Sequence, residues 1–133
     1  MTTSPMYRIS SRGKGKYRTS NASPKRTIKY LAEVGDPRIQ RIVLNSSKDS
    51  VYKSICNAFF NLAQNSDIKL STRQKRLLKP FQVRIKKLIS PSVGIRQKKA
   101  VIQSGGGIFL GTILPLVLST ALSLLGTSFI SRK

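Results

Sequence analysis

Between Ser71 and Ser104 the chain carries ten basic residues and no acidic one: Arg73, Lys75, Arg76, Lys79, Arg84, Lys86, Lys87, Arg96, Lys98 and Lys99. Like charges on one helix repel each other, and a solvated helix face normally mixes signs to relieve that repulsion. A run of one sign therefore predicts a surface neutralised by phosphates or lipid head groups, against the plainer reading of a solvated face. Base-specific reading has no support, because zinc-finger spacing, an aromatic RNA-recognition motif and a homeodomain-like helix are all missing from the sequence. The expected contacts are to phosphate and tolerate any sequence. Tyr7, Tyr17 and Tyr30 are candidates to stack on bases, or simply tyrosines of a polar arm.

Other chemistry has little to work with. The 133 residues include 25 Lys and Arg, 4 Asp and Glu and no His, for a net charge of +21. So few scattered carboxylates leave no convincing acid–base pair and no metal-ligand set, so neither an enzyme nor a cofactor is expected. The single cysteine, Cys56, rules out a disulfide-stapled module. It falls on an apolar helical stripe, which favours a small core residue over a nucleophile. An excess of roughly one positive charge per six residues is strongly self-repulsive without an anionic partner. The expected partner is thus a polyanion, either nucleic acid or an anionic membrane.

Charge divides the elements that must carry these residues. Residues 1–30 hold eight basic residues and no acid, and residues 31–70 hold all four acids, Glu33, Asp36, Asp49 and Asp67. Residues 105–131 carry no charge. The chain reads as a disordered basic arm (1–34), a small helical basic domain (35–104), and a glycine hinge with an apolar, membrane-active helix (105–133). The arm is rich in Ser, Thr, Gly and Lys/Arg and buries too little apolar area to offset its chain entropy. No apolar segment follows its first cations, so a secretory signal is not expected. A mitochondrial transit peptide would share the composition, but Gly13, Gly15 and Pro24 interrupt any amphipathic period.

The expected fold class is mostly α: small, loosely packed helices between the arm and an apolar C-terminal helix. Asp36-Pro37 signals a helix start, with Ile39, Ile42 and Val43 on one face up to about Asn45. From Ser47–Ser50 onward, Val51, Ile55, Phe59 and Leu62 recur at helical spacing, flanked by Cys56 and Ala63. Ser71 and Gln74 fit a capping box. The helix it opens carries Leu77, Leu78, Phe81, Ile85, Leu88 and Ile89, and Pro80 predicts a break near Lys79. Ser90-Pro91-Ser92 ends it, and a short basic helix follows over about 93–103. Residues 36–103 make a marginal core, so an isolated monomer is expected to be only partly folded.

The uncharged run from Ile108 to Ile130 exceeds the ~20 residues that cross a bilayer. Its candidate lipid-facing residues are Ile108, Phe109, Leu110, Ile113, Leu114, Leu116, Val117, Leu118, Leu122, Leu124 and Leu125. Gly111, Pro115 and Gly126 are expected to interrupt the helix, and no Trp or Tyr marks an interfacial belt. The alternative is a helix that packs on the Val51–Leu62 stripe or self-associates.

Two stretches carry a resemblance: LSTRQKRLLKPFQVRIKKLI, and GIRQKKAVIQSGGGIFLGTILPLVLSTALSLLG. Ser71 to Leu78 open a basic helix; Lys98, Lys99 and Gln103 follow; Gly105 to Gly107 precede a tail centred on Leu114-Pro115-Leu116. This layout resembles the short basic-and-hydrophobic proteins that accompany the capsid genes of Polinton-type (Maverick) elements and adintoviruses. More distantly it is similar to the precursor of the adenovirus mu core peptide. The likeness is good over 71–126 and looser from about 35. Pro80 and Phe81 depart from it, standing where the basic helix would continue.

The resemblance implies a virion protein of a double-stranded DNA virus that packs the genome or acts on membranes during entry. It would reside in the virion and, during assembly, in the host nucleus. Its implied partners are double-stranded DNA, capsid proteins and a viral cysteine protease. Gln103, Gly105, Gly106 and Gly107 fit the degenerate cleavage pattern of adenovirus-type proteases, or form a plain hinge. One rival is a tail-anchored or membrane-lytic protein on an intracellular membrane, its cations on anionic lipid. Another is a basic ribosomal or chromatin protein, against which the long apolar tail argues.

Overall fold

A computed structural model describes residues 23–64, 70–126 and 128–130; among them every regular element is helical. The first, α1 (Pro24–Glu33), starts where the Ser23 side chain accepts the Arg26 backbone N–H at 3.3 Å and Pro24 takes the first helical position. Its face of Thr27, Ile28 and Leu31 is buried. This corrects the expected arm, whose boundary at 34 falls too late. Three apolar or small residues among Lys25, Arg26 and Lys29 give a weak periodic signal, and that face becomes useful only once another helix covers it. Residues 1–22, with Tyr7 and Tyr17, lie outside the described residues.

Helix α2 (Pro37–Asn45) is opened by Asp36, whose Oδ1 accepts the Arg38 N–H at 2.9 Å. Of the expected face only Val43 packs against the core. Ile39 and Ile42 are 38% and 68% exposed, while Gln40 and Leu44 are buried. Gln40 is drawn inward by two carbonyls: its Nε2 donates to Leu31 O at 2.9 Å and to Val34 O. Those acceptors at the end of α1 lack helical donors of their own, and Gln40 satisfies them.

Helix α3 (Asp49–Gln64) runs through the middle of the fold. Val51, Ile55, Cys56 and Phe59 are buried as their spacing predicts, Leu62 is half-buried and Ala63 is exposed. Tyr52 is also fully buried, and its hydroxyl donates to Leu44 O at 2.6 Å, closing the end of α2. The next helix breaks where Pro80 requires it. Helix α4 (Thr72–Leu78) begins in a reciprocal capping box of Ser71 and Gln74, a 3₁₀ turn covers Lys79–Phe81, and α5 spans Gln82–Ile89. Helix α6 runs Ile95–Gln103.

The apolar run forms one helix, α7 (Gly106–Leu125). Gly111 and Pro115 do not interrupt it. A π turn at Phe109–Ile113, with the Leu114 N–H bonded to Phe109 O, precedes Pro115 and accommodates its missing donor and bulky ring. Gly126, at φ 64, ends the helix. Gly111 has another use: a Cβ there would lie 3.1 Å from Gly35 O and from Pro37 Cδ, so the α1–α2 connection crosses α7 at that point. Phe109, Leu110, Ile113, Leu114, Val117, Leu118 and Ala121 are buried, and α7 packs on α1 and α3. Phe109 stacks on Phe59, with centroids 5.9 Å apart and planes 5° apart, and meets Phe81 at 5.7 Å. The C-terminal helix thus shares one core with the basic helices rather than standing apart from them.

Candidate nucleic-acid interface

Leu77, Leu78, Phe81, Ile85, Leu88 and Ile89 turn α4 and α5 toward the core, which leaves the cations between them outside. Arg73, Lys75 and Arg76 on α4, Lys79 in the 3₁₀ turn, Lys86 and Lys87 on α5, and Arg96 on α6 are exposed. Among the described residues none of these seven is within ion-pair distance of an acid. The folded surface therefore keeps the charge imbalance of the sequence at these positions.

The other three are half-buried, and two of them, Arg84 and Lys99, make contacts within the fold. Arg84 donates from one terminal nitrogen to Val101 O at 2.7 Å and to Ser104 Oγ at 3.0 Å. Its guanidinium also lies 5.6 Å from the Phe109 ring centroid. It ties α5 to the end of α6 and the start of α7. Lys99 is not uncompensated, because the fold brings Asp49 to it: Nζ and Oδ1 are 2.9 Å apart. The same ammonium sits 5.2 Å over the Tyr52 ring. Lys98 lies near enough to Cys56 to favour its thiolate, but burial dominates and pushes the thiol up from 9.0 to about 11. Cys56 is accordingly an inert core thiol.

Gln103 does not dangle at a hinge. Its Nε2 donates to the Tyr52 hydroxyl at 2.8 Å and to Asn45 Oδ1 at 3.2 Å. Burial raises the Tyr52 phenol above its usual 10.0, opposed by this hydrogen bond and by Lys99. The glycines after Gln103 form a tight corner at the start of α7. A Cβ on Gly105 would lie 2.3 Å from Phe109 Cδ2, Gly106 has φ 79, and Gly106 and Gly107 already belong to α7. Protease binding in an extended form requires this corner and the first turn of α7 to open.

Of the candidate lipid-facing residues, Phe109, Leu110, Ile113, Leu114, Val117 and Leu118 are inside the core. Leu116, Leu122 and Leu125 are half-buried, and Ile108 and Leu124 are 63% and 56% exposed. The helix is long and apolar enough to cross a membrane, yet insertion would strip those six side chains from their present partners. Among the described residues no group of three or more His, Cys, Asp or Glu is placed to hold a metal.

Sequence reasoning missed the cations of α1. Lys25, Arg26 and Lys29 are exposed on an ordered helix, with Tyr30 45% exposed beside them. The Ser23-Pro24 start signal was there to find. No family model, curated protein or solved structure matches the chain.

Proposed function

We propose that this chain is a non-enzymatic, sequence-tolerant binder of double-stranded DNA that packs the genome of a virion assembled in the host nucleus. The observation that carries DNA binding is the set of seven exposed cations on α4, the 3₁₀ turn, α5 and α6, with no acid in ion-pair reach among the described residues. Phosphates supply the missing counter-charge, and release of their condensed cations drives association. The virion setting rests on the resemblance of residues 71–126 to the Polinton and adintovirus proteins. In this reading α7 is the apolar centre that lets a chain of charge +21 fold at all. The basic helices are laid over it.

The test is the salt dependence of binding to a random-sequence duplex. Each phosphate neutralised contributes about −0.9 to the slope of log K against log salt, so engagement of most of the seven gives a slope of about −5 to −6. Replacing Lys75, Arg76, Lys79, Lys86 and Lys87 by Gln, with Arg84 left in place for its structural contacts, should flatten the slope by about 4. An unchanged slope removes this face from DNA binding. Flotation of the full-length protein with phosphatidylserine vesicles, in preference to duplex, would overturn the DNA reading in favour of lipid.

A further inference from the structure

A cleft of about 380 Å³ opens on the proposed DNA face, between the α4–α5 junction and the end of α6. That volume is within the range of small-ligand sites. Pro80, Phe81 and Val83 form one wall and Val101 the other, with Arg84, Lys87 and Ser104 among them. Val83 is 70% exposed, so the apolar wall reaches solvent. The cleft is held open by structure: the 3₁₀ turn at Lys79–Phe81 sets one wall, and the Arg84 hydrogen bonds to Val101 O and Ser104 Oγ set its distance from the other. Among the described residues no acid lines it, and exposed Lys79 and Lys86 lie next to its lining residues in sequence.

An apolar surface with an aromatic ring, edged by cations, is the arrangement by which proteins hold unpaired nucleotides: bases lie on the apolar surface and phosphates on the basic groups. We propose that this cleft receives a single unpaired nucleotide, its base against Pro80, Phe81 and Val83 and its phosphate on Lys87. The proposal rests on the nucleic-acid reading and extends it. A duplex offers this face only phosphate and sugar, because its bases are stacked inside; a strand end, a gap or a single strand also offers a base. The protein then favours nucleic acid that has unpaired bases over the same charge without them. An acidic peptide would satisfy Lys87 but gives no reason for the apolar wall.

The experiment uses the full-length chain and three fluorescent probes: a 12-nucleotide oligothymidine, a 12-unit abasic sugar-phosphate strand and a 12-base-pair duplex. Two variants carry the same added charge on adjacent exposed positions. Val83→Glu lines the cleft, and Gln82→Glu does not. Native protein should bind oligothymidine at least about fivefold more tightly than the abasic strand, the lower end of what one stacked base contributes. Val83→Glu should bring that ratio to near one, Gln82→Glu should keep it, and duplex affinity should fall equally in both. A ratio near one in the native protein, or the same ratio in both variants, overturns the proposal while leaving DNA binding intact. Failure to bind any of the three probes at low salt instead overturns the nucleic-acid reading itself. Binding of a polyglutamate 12-mer that depends on Val83, with no base preference among the nucleic-acid probes, would reassign the cleft to an acidic peptide and overturn the proposal.

Discussion

Arg84→Gln separates a cation that builds the fold from one that meets phosphate. In the native chain Arg84 makes a charged hydrogen bond to the part-buried Val101 carbonyl, 2.7 Å away, and a second bond to Ser104 at an exposed position. A hydrogen bond to a charged group contributes about 1.5–3 kcal/mol. The guanidinium over Phe109, 5.6 Å from its centroid, adds about 0.5–1 kcal/mol. The exposed Ser104 bond adds little, since water replaces it. Gln is too short to span from α5 to Val101, so the substitution should cost about 2–4 kcal/mol. A domain of roughly this size loses about 4–8 °C of melting temperature per kcal/mol, so the midpoint should fall by about 8 °C or more. Circular dichroism at 222 nm measures this, and duplex titrations from 50 to 200 mM salt, run well below the variant's midpoint, measure the second quantity. The slope of log K against log salt should stay within a few tenths of native. A midpoint unchanged to within 2 °C, together with a slope flattened by about 0.9, would refute the structural assignment and return Arg84 to the phosphate-binding set.

The glycine corner gives a paired test. Gly105 has ordinary helical angles, φ −68 and ψ −16, so Gly105→Ala should lose about 1–2 kcal/mol through overpacking against Phe109 alone, whereas Gly107→Ala, with nothing within 4 Å, should be neutral or gain up to about 1 kcal/mol; urea unfolding of both checks this. Tyr52→Phe removes the hydroxyl shared by Leu44 O and Gln103, which keep the Ser47 N–H and Asn45 Oδ1 as partners, and should lower stability by about 0.5–1.5 kcal/mol without changing the DNA salt slope. Because folding raises the Cys56 thiol from 9.0 to about 11, its contribution to stability is complete below pH 9 and is lost as pH rises toward 11. Urea midpoints of native protein and Cys56→Ala should therefore converge over that interval, and iodoacetamide should label native protein far more slowly than urea-unfolded protein at pH 8.

Local signals were legible in the residues themselves. Asp36-Pro37, the Ser71/Gln74 capping box and the Pro80 break act within one turn of backbone, so a few adjacent residues determine them. The stripe of α3 was readable because its four apolar residues keep helical register over twelve positions. The surplus of cations over 71–104 follows from composition, and it determines that any anionic partner will be held by charge. What each cation does was decided by partners distant in sequence. Lys99 is paired because Asp49 reaches it across a separation of 50 residues, and Arg84 is occupied because Val101 and Ser104 close on it. The inward turn of Gln40 in place of Ile39 and Ile42 has the same origin: two carbonyls at the end of α1 needed a donor. Likewise, the apolar run of α7 suits a bilayer and a protein interior equally by hydropathy. Only the packing of α1 and α3 around Phe109 to Ala121 brought one face of it into the core, because burial of apolar surface is non-directional and its partner is whichever complementary face the fold brings near.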